Sequence, residues 1–301
     1  MKIAYFGHGT RGEKCLEAVI EAGHQVIEVI CLPTNNSSNG LASYAAKTRI
    51  PTVFPKDPNS PDFVEHLKEL DVELFILCGY TKIIKNPVIL LPKLGCINLH
   101  GGMLPKYRGG SPINWQIING ETRGGCCILF VDEGIDTGDI ILQETYPIAK
   151  NDCAGDIIEK TLKIFPEMLK SVLTYFERDK VPRIKQVRDE GNYFCKRYPE
   201  DGRIDWPKMT AQQVHNTIRG LRGPGLPGAF SFYQNKKVVL WEAEMVSQCI
   251  IGAPARVAFK WDNGVVIPCS DKSLLIKKVL NPENNTMSPA RDLFQTGTYL
   301  G

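Results

Sequence analysis

Ile3-Ala4-Tyr5-Phe6-Gly7-His8-Gly9-Thr10-Arg11-Gly12, near the start of the chain, is the stretch on which the reading of the fold turns. A short apolar run stops at a glycine. Beyond the loop, Leu16, Val19 and Ile20 recur at helical spacing, with Gly23 placed as a helix C-cap. The same unit then repeats. Val26 to Cys31 reads as a second strand and Leu41 to Lys47 as a helix. Ser60-Pro61 reads as an N-cap with Pro at the first helical position, ahead of the apolar stripe Phe63, Leu67 and Leu70. Val72 to Cys78 and Cys96 to Leu99 are two further apolar runs of strand length. Strands alternating with helices predict an α/β fold, a Rossmann-like and mostly parallel sheet covered on both faces.

Further along, residues 111–119 read as helix, and Cys126 to Val131 and Ile140 to Tyr146 as strands. A long helix is expected from about Gly155 to Glu177, with Pro166 bending or interrupting it. Residues 179–204 are polar and irregular. Thr210-Ala211-Gln212-Gln213 matches the T-x-x-Q capping box and opens a helix carrying Val214, Ile218 and Leu221. Gly223 to Gly228 ends it, and Asn263-Gly264 signals a hairpin among short strands. The expected layout is a catalytic domain over 1–185, a linker over 186–205 and a small β-rich domain over 206–301.

Composition bounds the function. The 301 residues suit one large or two modest domains, and 43% hydrophobic with 23% charged residues is ordinary for a globular chain. A net charge of +3 without long like-charge blocks does not demand a nucleic-acid partner. The ten cysteines form no C-x-x-C pair, which argues against a zinc ribbon or a thioredoxin-type redox motif. Met1 to Phe6 is no signal peptide, and no apolar stretch approaches the roughly 18 residues of a membrane helix. The expected setting is reduced and cytoplasmic, with no membrane partner.

The chemistry concentrates in two segments. Ile97-Asn98-Leu99-His100-Gly101-Gly102-Met103-Leu104-Pro105-Lys106-Tyr107-Arg108-Gly109 follows a strand, and Asn98 and His100 are two apart, so both point to one face. That places an amide beside an imidazole at the carboxyl edge of a parallel sheet, where open α/β folds bind ligands. Val131-Asp132-Glu133-Gly134-Ile135-Asp136-Thr137-Gly138-Asp139 follows another strand and is rich in acids and glycine. If the two strands are neighbours, a carboxylate from this loop reaches His100. Asn, His and Asp at one point suit acyl-type transfer: the His handles the proton of an attacking amine, the Asp fixes the ring, and the Asn donates to the developing oxyanion. Read as structure alone, His100 ends a strand before a glycine turn and Asp136 makes an Asx turn. Gly7 to Gly12 offers an anion site at a helix N-terminus, with Thr10 and Arg11 adding donors, or simply a tight turn.

These motifs resemble the folate-dependent formyltransferase family. The resemblance rests on Asn98-Leu99-His100, on Leu104-Pro105-Lys106-Tyr107-Arg108-Gly109, and on Asp136-Thr137-Gly138-Asp139, whose Asp lies thirty-six residues after the His. It extends to Arg203-Ile204-Asp205-Trp206 and to a C-terminal part similar to the small β-barrel, OB-like domain of the tRNA and sugar enzymes. It implies 10-formyltetrahydrofolate as donor, no metal, and Asn98, His100 and Asp136 as the catalytic trio. It further implies that Thr81, Lys82, Ile83 and Ile84, with Val131, Asp132, Glu133, Gly134, Ile135 and Asp136, line the pterin pocket. Gly7, His8, Gly9, Thr10 and Arg11 would lie near the acceptor's phosphates, with Lys106, Tyr107 and Arg108 also on the acceptor side, alongside Asn114 and Trp115. The resemblance allows a homodimer.

For the acceptor, methionyl-tRNA formyltransferases usually carry a basic insertion after the second strand. Here Pro33-Thr34-Asn35-Asn36-Ser37-Ser38-Asn39-Gly40 holds no Lys or Arg, and polyanion binding relies on cations. A primary amine on a nucleotide-linked amino sugar is therefore the expected acceptor, and tRNA the less favoured one. The chain also looks like the hydrolase domain of formyltetrahydrofolate dehydrogenase, but that branch lacks an Asn at the position of Asn98, so transfer is favoured over hydrolysis. A non-enzymatic folate-binding module is disfavoured because no member of the trio is lost.

Overall fold

A computed structural model describes residues 1–33, 40–187 and 189–301. Most of the polar loop Asn35–Gly40 singled out above thus lies outside the described residues. The chain forms two compact units. The first comprises Met1–Gly109, Gly124–Tyr146 and Glu159–Phe194; the second comprises Gly110–Arg123, Pro147–Ile158 and Cys195–Gly301.

The alternation read from the sequence is present. It runs β1 (Lys2–Gly7), α1 (Gly9–Glu21), β2 (Gln25–Cys31), α2 (Gly40–Lys47), β3 (Thr52–Val53), α3 (Pro61–Glu69) and β4 (Leu74–Cys78). There follow α4 (Asn86–Ile89), β5 (Cys96–His100), β6 (Arg108–Gly109), α5 (Pro112–Ile118), β7 (Arg123–Phe130), β8 (Ile140–Pro147), α6 (Ala154–Glu177) and β9 (Tyr193–Phe194). Seven strands make one sheet in the order β3-β2-β1-β4-β5-β7-β8, and β6 pairs with β9 as a separate ribbon.

Register shows how the faces are used. Gly7 pairs with Cys78 and Cys78 with Leu99, so β1, β4 and β5 end in line at one carboxyl edge. Paired residues point to the same side of a sheet. Ala4 pairs with Phe75 and Phe6 with Leu77, and Phe75 and Leu77 pair in turn with Cys96 and Asn98. That face packs on Val64, Leu67, Val88 and Ile89 of α3 and α4. It is apolar up to Asn98 and then turns polar.

The structure adds one feature of the first unit to the sequence reading and corrects two others. First, β7 runs antiparallel to β5, with Ile97 opposite Phe130 and His100 opposite Cys127. The loop after β7 therefore leaves beside the N-terminal end of β5, where Val131 N donates to Cys96 O at 2.8 Å. Second, β7 starts at Arg123, ahead of the predicted Cys126, because Gly124 leaves room for the Tyr146 ring. Third, α6 is unbroken over its 24 residues with Pro166 inside. Proline removes one backbone donor, and the buried row Phe165, Met168, Leu169, Val172 and Leu173 outweighs that loss.

The second unit holds α5, α7 (Ala211–Gly220) and an antiparallel sheet of β10 (Ala229–Tyr233), β11 (Lys236–Met245), β12 (Phe259–Trp261), β13 (Gly264–Pro268), β14 (Ser273–Asn281) and β15 (Thr286–Pro289). A short α8 (Ala290–Leu293) follows. The capping box at α7 forms as predicted: Gln213 N donates to Thr210 Oγ1 at 3.2 Å and Thr210 N to Gln213 Oε1 at 2.8 Å. Such a cap contributes about 1 kcal/mol. Trp206, Val214, Ile218, Leu240, Val265 and Ile276 form the core. The hairpin near Asn263 turns one residue earlier than predicted. Trp261 pairs with Gly264, leaving Asp262-Asn263 as the turn, with Asp262 at φ 50°. No helix among the described residues is long and apolar enough to cross a membrane.

His215 on α7 is buried, and its Nδ1 has no hydrogen-bond partner among the described residues. Burial, then the charges of Arg219 and Lys150, push its imidazole down to about 4. The unfolded chain takes up a proton below about pH 6.5, whereas the folded chain does so only near pH 4. Stability contributed by neutral His215 is thus present above pH 6.5 and lost as pH falls from there towards 4. Melting curves at pH 7 and pH 5 should show a smaller acid-induced drop in Tm for His215→Gln than for the natural protein. Equal drops would remove His215 as the cause.

Candidate active site

β5 delivers Asn98 and His100 to the same face. Asp136 arrives from the loop after β7, which crosses that face from the opposite end of β5. The loop is shaped from within. Asp132 Oδ1 accepts from Gly134 N at 3.0 Å and from Thr137 Oγ1 at 2.6 Å. Phe130 N donates to Asp139 O at 2.9 Å and closes the loop's base. Gly138 packs against Phe130 O with no room for a side chain. Asp136 sits at φ 53°, a left-handed conformation that Asp tolerates.

In this conformation the Asp136 carboxylate gathers three groups. Asn98 Nδ2 donates to Oδ1 at 3.3 Å, Gly109 N donates to Oδ2 at 2.9 Å, and His100 Nδ1 lies 3.4 Å from Oδ2. The His100 side chain is 6% exposed and that of Asp136 12%. The other ring nitrogen, Nε2, is 2.6 Å from the carbonyl of Tyr107. A carbonyl can only accept, so Nε2 carries a hydrogen and Nδ1 faces the carboxylate. Cys127, opposite His100 on β7, is no competing nucleophile: burial, then the charge of Asp136, raises its thiol well above the usual range.

Two residues expected to face the acceptor are turned inward. Tyr107 is buried and stacks on Phe194 with ring centroids 5.0 Å apart. Arg108 is 1% exposed; its Nε and Nη2 donate to Gln186 Oε1 at 3.1 and 3.0 Å, and Tyr193 lies under the guanidinium. Lys106 is exposed. Gln186, Tyr193 and Phe194 went unnoticed in the sequence because they lie in the polar stretch beginning at 179. The adjacent aromatic pair Tyr193-Phe194 was the available signal. In the second unit, Asn114 Nδ2 donates to Gly220 O at 2.6 Å. Trp115 Nε1 donates to Cys195 O at 3.0 Å, with Arg197 over its ring.

The segments 81–84 and 131–136 border one apolar cluster containing Leu77, Tyr80, Ile84 and Val88, with Val131 packed on it. A hydrogen bond from Asn86 Nδ2, at the start of α4, to Glu133 Oε1 ties the second segment to α4. Lys82 is spent on the carbonyls of Pro55 and Lys56, and Thr81 is exposed. Ile83 and Ile135, 67% and 54% exposed, offer bare apolar surface, one on each segment. At the carboxyl edge, the Gly7–Arg11 loop opens α1. His8 N donates to Cys78 O at 3.2 Å, Gly9 takes φ 67°, Thr10 is exposed, and Arg11 lies over the Phe165 ring. Among the described residues, no cluster of three or more His, Cys, Asp or Glu could hold a metal ion.

The formyl transferase family matches residues 1–173, and the formyl transferase C-terminal domain matches residues 196–296. Methionyl-tRNA formyltransferase of Ruminiclostridium cellulolyticum is 33% identical over 320 residues, covering 100% of both chains. The crystal structure of WlaRD, a sugar 3N-formyl transferase in the presence of dTDP and 5-N-formyl-THF, has a TM-score of 0.68 at 25% identity, covering 93% of this chain and 98% of that one. The N-formyltransferase from Helicobacter canadensis, in complex with folinic acid and dTDP-3-aminofucose, has a TM-score of 0.67 at 21% identity, covering 92% and 98%. The chain belongs to the formyl transferase family and is a folate-dependent enzyme of that family.

Proposed function

We propose that this enzyme transfers a formyl group to the primary amine of a nucleotide-linked amino sugar, and that Asn98, His100 and Asp136 carry the step. The convergence of the three side chains on one polar patch of an otherwise apolar sheet face carries the catalytic reading. The donor, 10-formyltetrahydrofolate, supplies an activated formyl group. The apolar cluster, the exposed Ile83 and Ile135, and the peptide edges of the 81–84 and 131–136 segments fit a flat ring with polar rims.

The residues act as follows. Asn98 directs one amide hydrogen to Asp136 and has a second for the formyl oxygen as charge builds on it. His100 holds Nε2–H on the Tyr107 carbonyl, so Nδ1 would take the amine's proton and hand it to the folate nitrogen as its bond to the formyl carbon breaks, and Asp136 Oδ2 stands beside it to balance the charge. Gly102 allows this closure: a Cβ there would lie 2.6 Å from Tyr107 O and 2.7 Å from His100 Nε2.

Two observations support the sugar acceptor. The eight residues between β2 and α2, 32–39, contain no Lys or Arg, so that stretch brings no cation to a polyanion. The similarity to WlaRD, a sugar 3N-formyl transferase solved with dTDP, points the same way. Methionyl-tRNA is the second reading, favoured by the full-length 33% identity to a methionyl-tRNA formyltransferase.

A mass-spectrometric transfer assay separates them, with 10-formyltetrahydrofolate as donor and a panel of nucleotide-linked amino sugars beside charged methionyl-tRNA. A formylated sugar supports the proposal; a formylated tRNA alone replaces it with the second reading. Asn98→Ala and His100→Ala should each lower the transfer rate at least ~100-fold, the scale for losing an oxyanion donor or an acid–base group. Near-full activity in either would end the catalytic assignment. Gly102→Ala should cost on the order of 100-fold in kcat by displacing the imidazole about an ångström, with a rate equal to the natural enzyme's as the contrary result.

A further inference from the structure

We propose that Gln186 is a positioning residue that sets the conformation of the Asp136 loop. The inference rests on the reading of Asp136 as His100's partner. Gln186 Oε1 accepts from Arg108 Nε at 3.1 Å and from Nη2 at 3.0 Å. Its Nε2 donates to Asp136 O at 2.9 Å and to Gly138 O at 2.7 Å. Both lone pairs and both hydrogens of the carboxamide are thus engaged. No other side chain of this length has two acceptors and two donors in one plane: Glu keeps the first pair and loses the second.

The four bonds close a circuit. The Asp136 carboxylate accepts from Gly109 N at 2.9 Å. Gly109 follows Arg108 in the chain, the Arg108 guanidinium is held by Gln186, and Gln186 returns to the Asp136 carbonyl. Fixing that carbonyl fixes the peptide plane after Asp136. With φ at 53°, the plane aims the carboxylate at His100 Nδ1 and Asn98 Nδ2. Rotation of the plane would break the aim before it broke the fold.

Gln186 is itself held by its neighbours. Ile184 bridges to Ile140, and Lys185 Nζ lies 2.8 Å from Asp139 Oδ2. On the other side, Arg108 N donates to Asn192 O at 3.2 Å and Phe194 stacks on Tyr107. Residues 184–187 and 192–194 thereby strap together the loop that bears Asp136 and the loop whose Tyr107 carbonyl holds His100. Arg108 adds charge to this frame: a buried guanidinium with a neutral amide partner strengthens the hydrogen bonds through which that amide reaches the loop.

The test reads His100 directly. Ring-nitrogen NMR shifts of His100, one of five histidines, are measured in the natural protein, Gln186→Ala, Gln186→Glu and Asp136→Asn, with Tm alongside. Gln186→Ala and Gln186→Glu should move the His100 shifts in the direction that Asp136→Asn moves them. In the transfer assay above, kcat should fall ~10- to 100-fold while the acceptor KM stays within about twofold. Gln186→Ala added to Asp136→Asn should lower kcat by less than about twofold more, since both act on one unit. Unchanged His100 shifts in a folded Gln186→Ala or Gln186→Glu protein overturn the proposal. So does unfolding of both variants, which would make the residue structural. Unchanged shifts and rate in Asp136→Asn would instead remove the reading of Asp136 itself.

Discussion

The Asp136 carboxylate receives Asn98, His100 and the Gly109 amide, which arrive by two routes. Strand pleating brings the first two to one side; β6, paired with β9, brings the third. A carboxylate this sheltered is costly unless donors surround it, and its donors are left unsatisfied without it. The glycines that let the chain close near it, Gly102 and Gly138, have no room for a side chain. The left-handed backbone at Asp136 is tolerable because the bonds around it over-determine the conformation.

Much of the α/β unit was legible because a parallel strand buried on both faces reads as an unbroken apolar run. For the same reason strand direction was not legible. Arg123–Phe130 has the same apolar texture whichever way it runs, and only pairing shows it antiparallel to β5. Asn98, His100 and Asp136 stood out as polar residues at the margins of apolar runs. Gln186 could not, being a polar residue among polar residues whose four hydrogen bonds go to three residues distant in sequence. Tyr107 and Arg108 misled in the other direction. An arginine beside glycines is ordinarily a surface residue, and nothing local reveals that Gln186 and Val187 await it.

Pro166 carries a related lesson. Proline's intrinsic cost of about 3 kcal/mol in a helix interior is a local quantity. The buried face of α6 spans many more residues than the proline disturbs, so tertiary burial decides. The same competition explains the β12–β13 hairpin. Asn-Gly is the strongest local turn signal, yet Gly264 is taken into the strand, where a Cβ would strike Ile276 O.

The reversed direction of β7 separates two tasks along one sheet. The Gly7–Arg11 loop and the β2–α2 connection both leave from the carboxyl edge, the end proposed for the acceptor. The loop bearing Asp136 enters from the other end, on a hairpin of its own. Insertions at the first end leave that hairpin's length and register untouched. Descendants of such a scaffold can therefore trade edge loops while the hairpin bearing Asp136 is inherited intact.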